Sequence, residues 1–136
     1  MISGALLLTI AAGSIYGKSV FSHTEGEPDV VGTFSMNRDE NLTVVANREQ
    51  IEDKVAFARE LLQMYKDNSF YSTKFSTDRG YATSLDMNIY LWKEDIEDGA
   101  SVMTAEYRPV EYGKDYDVVN NPDKFELYID GKEVKE

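Results

Sequence analysis

The sequence lacks cysteine, has a single histidine (His23) and is poor in basic residues. Without cysteine the chain can form neither disulfides nor thiolate zinc sites, and thiol catalysis is excluded as well. One histidine excludes a multi-histidine metal centre. The 14 Lys and Arg are outnumbered by 25 Asp and Glu, which gives a formal net charge of −11. Nucleic-acid binding requires clustered Lys and Arg, so we expect no nucleic-acid partner. We also predict that the protein has no cofactor.

The 136 residues have the length of one domain, and 42% of them are hydrophobic, which is sufficient for a core. Residues 2–16 carry no formal charge and would span about 22 Å as a helix, less than the ~30 Å hydrocarbon core of a bilayer. We predict a hydrophobic signal or anchor segment at residues 1–17, a polar linker at 18–29 and a single domain at 30–136. The protein would then be membrane-anchored or exported, with its domain on the extracytoplasmic side. The alternative is that the apolar run is a buried helix of a soluble domain.

An amphipathic helix is predicted over residues 48–66. Asn47 and Gln50 have the spacing of a capping box, which marks a helix start. Apolar residues then recur at helical spacing, and we expect Val55, Leu62 and Tyr65 to be buried against a sheet. The full predicted stripe is Ile51, Val55, Ala58, Leu62 and Tyr65, widened by Phe57, Leu61 and Met64.

Strand patterns surround this helix. Residues 31–36, 42–46, 69–77, 101–110 and 124–130 have strand composition or alternation, and residues 83–93 alternate most clearly. Asp130 and Gly131 predict a tight turn into a short return strand at 132–134. The predicted fold class is α+β: one long amphipathic helix on a mostly antiparallel sheet of about four to six strands, with cystatin-like or NTF2-like layering.

Three segments, GYATSLDMNIYLWK, EYGKDYD and NPDKFELYIDG, resemble those of small, uncharacterised membrane-anchored proteins of Gram-positive bacteria, some of which are carried with conjugative elements. The resemblance extends over most of residues 30–131. It implies an exported or anchored protein and brings no activity or functional residues with it.

Aromatic side chains give the main functional signal. If alternate residues of the strand at 83–93 face the helix, then Tyr90 and Trp92 face away from it, as does Tyr128 on its own strand. Tyr and Trp are enriched at binding hot spots, so we predict a binding surface at Tyr90, Trp92 and Tyr128. Nearby acids such as Asp86 and Glu126 favour a basic protein partner in the cell envelope. Cross-strand packing that merely stabilises the sheet is the alternative.

No catalytic constellation is recognisable, because His23 lies in the predicted linker and the paired acids lie in predicted turns. Side chains with oxygen ligands are concentrated between Asp115 and Asp123, but their spacing departs from that of an EF-hand loop. We therefore predict no metal site, and weak calcium binding remains the alternative. The function predicted is a non-catalytic extracytoplasmic binding module, an accessory protein of an envelope or conjugation system. The alternatives are a small enzyme or small-molecule binder with a pocket between helix and sheet, and a soluble structural domain.

Overall fold

A computed structural model describes residues 26–78 and 80–135. Its core is one six-stranded sheet, in which the strands lie side by side in chain order. Four of the five neighbouring pairs are antiparallel, and the pair β2–β3 is parallel. The elements are β1 (Asp29–Met36), β2 (Asp39–Val45), α1 (Lys54–Asp67), β3 (Ser84–Tyr90), α2 (Asp95–Asp98), β4 (Met103–Pro109), a 3-10 turn (Pro122–Lys124), β5 (Phe125–Ile129) and β6 (Lys132–Glu133).

This arrangement confirms the α+β class and a mostly antiparallel sheet. The parallel pair follows from the position of α1, because two neighbouring strands can be parallel only if a long connection returns the chain to the end where it began. The helix and the segment after it form that connection. Two local units result, the hairpin β1–β2 and the meander β3–β6.

The predicted start of the long helix is wrong. Asn47 does not cap it: its backbone has φ 58°, and its N–H donates to the carbonyl oxygen of Leu91 at 2.8 Å. The chain is therefore still paired with the end of β3 at this point and needs several residues to reach the helix layer. The helix begins at Lys54, and the side chain of Asp53 caps it by accepting the N–H of Ala56 at 3.0 Å. It has 14 residues, so the longer helix is not confirmed.

The buried side of α1 is also shifted from the predicted one. Tyr65 is buried as expected, but Val55 and Leu62 are only half-buried. Apolar residues flank the stripe on both sides, so the sequence pattern left its centre ambiguous by about one position. The residues that contact the sheet are Phe57, Ala58, Leu61 and Tyr65.

Residues 69–77 do not form the predicted strand. Phe70 and Phe75 turn toward the core instead, and the ring centroids of Tyr65 and Phe75 lie 5.0 Å apart. The segment is attached to the start of β1 by side-chain bonds: the N–H of Ser72 donates to Asp29 Oδ1 at 2.9 Å, and the hydroxyl of Thr73 donates to the Val30 carbonyl at 2.6 Å. The aromatic residues of this segment therefore pack against the core, and its polar residues cover the start of β1. The segment forms no backbone hydrogen-bond ladder of its own.

The alternation predicted for residues 83–93 is confirmed over β3, but the strand ends at Tyr90, and residues 91–93 form bends and a turn. Leu85, Met87 and Ile89 are buried, whereas Asp86 and Asn88 are exposed. The turn into β6 is confirmed too, since Asp130 and Gly131 both have positive φ, as a type I′ turn requires. The core between α1 and the sheet is completed by Val30, Leu42, Val44, Met103, Ala105, Tyr107, Val118 and Leu127.

The predicted signal or anchor segment, and most of the predicted linker with His23, lie outside the described residues. Pro28 and Asp29 are already buried at the start of β1. Among residues 26–78 and 80–135, no helix is both long enough and apolar enough to cross a membrane.

Candidate functional site

The sheet has one face covered by α1 and one face directed away from it, which we call the open face. Residues of neighbouring strands that stand directly opposite one another lie on the same face. The strand registers place one cross-strand row on the open face over all six strands: Phe34, Asn41, Asp86, Glu106, Tyr128 and Glu133. A row of this length provides an extended surface for contact with a partner.

Acidic side chains dominate the middle of this surface. Asp86 on β3 stands opposite Glu106 on β4, and Glu126 and Glu133 lie on the neighbouring strands. Two cations accompany them: Arg108 stands opposite Glu126, and Lys135 forms an ion pair with Glu133 at 3.2 Å. We refer to the four acids and Arg108, together with the ring that stands between them, as the acidic cluster: Asp86, Glu106, Arg108, Glu126, Tyr128 and Glu133.

Glu106 is a partly buried carboxyl group within the acidic cluster. Its side chain is only 20% exposed. Burial raises the pKa of Glu106, and a hydrogen bond with Asp86 and the charge of Asp86 raise it further, while Arg108 acts in the opposite direction. Two carboxyl groups that face each other cannot both ionise without repulsion. A cation brought next to this pair would therefore favour the ionised form of Glu106.

Arg108 links Glu106 to the aromatic part of the cluster. Its guanidinium pairs with Glu106 Oε1 and lies over the ring of Tyr128, 4.4 Å from the centroid. The Tyr128 hydroxyl donates to Glu126 Oε1 at 3.4 Å. Burial, followed by the charges of Glu126 and Glu133, raises the pKa of Tyr128. The arrangement already holds one guanidinium between carboxylates and an aromatic face, which is the chemistry that recognises basic side chains.

The structure brings only one of the predicted site residues into this cluster. Tyr128 lies at its centre and is half-buried. Tyr90 is four residues beyond Asp86 on β3, about 13 Å along the strand. Trp92 follows the strand, in a turn where its N–H donates to Asp95 Oδ2 at 3.2 Å. Tyr90 and Trp92 therefore stand at one end of the sheet, and a binding role for the three residues stays a prediction.

Sequence reasoning missed Glu106 and Arg108. Both alternate with the buried residues Ala105 and Tyr107, so their orientation was readable from β4 alone. What the sequence did not contain was the register, which places Glu106 opposite Asp86 and Arg108 opposite Glu126. Only the register shows that these five charged side chains, with Glu133 opposite Tyr128, form one cluster.

A second feature is a groove of about 410 Å³ between α1 and the β4–β5 part of the sheet. Its polar lining residues are Arg59 from α1, Tyr107 from β4, and Glu126 and Glu133, two members of the acidic cluster, so the groove borders that cluster. Burial raises the pKa of the Tyr107 hydroxyl to about 12, against an opposing effect of the Arg59 charge. The apolar lining residues are Leu62, Val118, Pro122, Phe125, Leu127 and Val134.

The oxygen-rich segment from Asp115 to Asp123 is organised as a turn. Asp117 Oδ1 accepts the N–H groups of Val119 and Asn120 at 3.0 and 2.7 Å, and Asp117 Oδ2 accepts the side-chain amide of Asn120 at 2.9 Å. Burial of Asp117 raises its pKa, but these hydrogen bonds outweigh burial, and the pKa of Asp117 is lowered. Among residues 26–78 and 80–135, no group of three or more Asp, Glu or His could hold a metal ion.

Comparison with known proteins identifies no relative of this chain. No family model, no curated protein and no solved structure matches the chain.

Proposed function

We propose that this protein is a non-catalytic binding module that acts outside the cytoplasmic membrane, where the acidic cluster receives a basic segment of a protein partner. The observation that carries the proposal is the cross-strand pair of Asp86 and Glu106 on the open face. Burial, and after it the hydrogen bond with Asp86 and the charge of Asp86, raise the pKa of Glu106, so a cation bound beside the two carboxyl groups would stabilise their ionised forms. The net charge of −11 supports it, since long-range attraction would accelerate the approach of a basic partner.

The place of this module in the cell is part of the same proposal. The uncharged run at residues 2–16 and the resemblance to membrane-anchored Gram-positive proteins support an accessory role in an envelope or conjugation system. The layering of a helix on a mostly antiparallel sheet, of the cystatin-like or NTF2-like kind, belongs to the proposal as well. For a binding module, such layering leaves one sheet face free for a partner.

The binding proposal predicts an effect of Glu106→Gln on the affinity for a basic probe. We expect octalysine, titrated into the ¹⁵N-labelled protein, to shift the resonances of the acidic cluster, and the Gln variant to bind about three- to tenfold more weakly. The matched control is Glu94→Gln, which removes the same charge from an exposed position in the turn after β3. Equal losses in the two variants would mean that octalysine responds to net charge alone and that the cluster is not the site.

The same titration has a pH dependence with a definite sign. A cation favours ionised Glu106, so below the pKa of Glu106 binding requires the release of a proton. Because that pKa is raised, affinity should still be increasing at pH values where an ordinary glutamate, with a pKa of 4.5, is already ionised. Glu106→Gln should abolish this part of the increase. An unchanged pH profile in the variant would contradict the role of Glu106.

The location predicts protease sensitivity. In intact protoplasts that express the full chain, external protease should degrade the domain, because the apolar residues 2–16 direct it to or across the membrane. A cytoplasmic protein expressed in the same cells serves as the control for lysis. Recovery of the domain as a soluble, protease-protected product would contradict the extracytoplasmic location.

Small-molecule binding is the second candidate, and the groove favours it. Its volume of about 410 Å³ lies within the range of ligand sites, which is about 300–1,000 Å³, and six of its ten lining residues are apolar. A small ligand there would shift the resonances of Leu62, Tyr107 and Val118. Octalysine on the open face would shift those of Asp86 and Tyr128 instead.

A further inference from the structure

Among residues 26–78 and 80–135, the segment that covers the outer edge of β1 reaches only the start of the strand. Ser72 and Thr73 bond to Asp29 and Val30 at the start of the strand. These two bonds cover the Asp29–Val30 end of the edge. Edge strands usually carry charges, prolines or covering segments that prevent pairing with another chain. From Gly32 to Met36 this strand has no charge and no proline.

The exposed part of the edge is apolar as well. Phe34 is 62% exposed and Met36 is 61% exposed, both on the open face, opposite Asn41 and Asp39. A short uncharged run of strand-forming residues on an edge is the pattern that recruits a further strand. Two copies of a chain with a net charge of −11 repel each other, so this uncharged, apolar edge differs from the rest of the molecule.

The turn fixes which backbone groups the edge offers. Met36 and Asp39 flank the two-residue turn at Asn37 and Arg38, so they form a hydrogen-bonded pair. Hydrogen-bonded and non-hydrogen-bonded pairs alternate along an antiparallel ladder, which makes the pair of Phe34 with Asn41 hydrogen-bonded too. Thr33 and Ser35, which alternate with Phe34 and Met36 along the strand, therefore direct their N–H and C=O groups outward.

The side chains of this segment are complementary to themselves. If two copies of β1 run antiparallel about a two-fold axis at Phe34, then Phe34 stands opposite Phe34 of the second copy. Thr33 then stands opposite Ser35, and their outward backbone groups exchange hydrogen bonds on both sides of the axis. Met36 stands opposite Gly32, whose missing side chain leaves room for it. Aromatic pairs and Thr–Ser pairs are both favourable cross-strand neighbours.

We propose that the Gly32–Met36 edge of β1 binds a second copy of this chain, by antiparallel pairing about Phe34, so that two six-stranded sheets join into one. The contact involves about five residues from each copy, far fewer than the 20–30 of a standard interface, so the dimer is weak and reversible. Its dependence on salt separates it from the binding of a basic partner. Salt screens the repulsion between two copies of charge −11 and strengthens the dimer, whereas it weakens the attraction of a basic segment to the acidic cluster.

Sedimentation equilibrium of the full chain tests the pairing. We expect a monomer–dimer equilibrium that shifts toward dimer when salt is raised, and a dissociation constant increased by about tenfold or more in Phe34→Lys, because two lysines would then stand opposite each other at the axis. Tyr112→Lys is the matched control, since Tyr112 is another exposed aromatic, 76% exposed, far along the chain from β1. A purely monomeric chain, or equal dissociation constants for the two variants, would overturn the proposal.

The lack of cysteine permits a direct measurement of the register. Phe34 directs its backbone N–H and C=O groups toward β2, so its pair with Phe34 of the second copy is a non-hydrogen-bonded pair. In such a pair the two Cα atoms lie about 4.5 Å apart, within the range that a disulfide spans. Phe34→Cys should therefore cross-link two copies under mild oxidation, and salt should accelerate the reaction. Tyr112→Cys is the control for random collision. Equal rates in the two variants would rule out pairing about Phe34 even if the chain is dimeric.

Discussion

Leu61→Ala should lower the free energy of unfolding by about 2–5 kcal/mol, which is the usual cost of truncating a fully buried leucine. Leu61 has no exposed surface and lies on the side of α1 that contacts the sheet. Two terms contribute to this loss of stability: the favourable free energy of transferring the removed methyl groups from water into the core, and the cost of the cavity that they leave behind. Urea unfolding followed by circular dichroism measures the change, with the slope of the transition checked for two-state behaviour.

Leu62→Ala is the matched control for this prediction. Leu62 is the next residue, of the same type and in the same helix, but it is half-buried and borders the open groove. Its truncation removes less buried area and leaves no closed cavity, so the cost should be clearly smaller. Equal effects at the two positions would show that the side of α1 assigned to the core is incorrect.

The second large effect is expected at Asp29. Its side chain is buried, and Oδ1 accepts the N–H groups of Val30 at 3.0 Å and Ser72 at 2.9 Å. Hydrogen bonds to a charged group contribute about 1.5–3 kcal/mol each, and a buried N–H left without an acceptor costs more than a lost contact. We therefore expect Asp29→Ala to lower the free energy of unfolding by about 3 kcal/mol.

Hydrogen exchange locates the effect of that substitution. The amide of Ser72 should exchange much faster in Asp29→Ala, because its acceptor is gone and only the Thr73–Val30 bond of the two described above still attaches residues 69–77 to β1. Asp78→Ala, at an exposed position, should leave both stability and the exchange of Ser72 nearly unchanged, within about 0.5 kcal/mol. Unaltered protection of Ser72 in Asp29→Ala would show that Asp29 does not hold this segment.

Local patterns predicted those parts of the fold that local physics decides. The alternation around Leu85, Met87 and Ile89 determines which side of β3 is buried, and the Asp130–Gly131 turn needs only two residues with positive φ. The start of α1 depends instead on how far β2 remains paired. Asn47 had the right chemistry for a cap, but its N–H is already bonded to the carbonyl oxygen of Leu91, the residue that follows β3.

The candidate site shows the same division between local and distant information. Orientation on a strand follows from period-2 alternation, so Tyr128 could be placed on the outward side without a structure. The partners of Tyr128 could not be placed, because Glu106 and Arg108 come from a strand whose register depends on distant contacts. Similarly, residues 69–77 have the composition of a strand, and only the position of Asp29 explains why they bond to β1 through side chains.

The parallel pairing of β2 with β3 has a consequence for the route by which the chain folds. Every antiparallel pair joins strands that are close in sequence, so the hairpin and the meander can each form by local closure. Val44 and Ile89, in contrast, meet only after the whole of α1 and the segment that follows it have been enclosed. Closing a long loop costs entropy before any contact repays it, and long-range pairings correlate with slow folding. The docking of the hairpin onto the meander, with α1 between them in sequence, is therefore the step that should limit the folding rate.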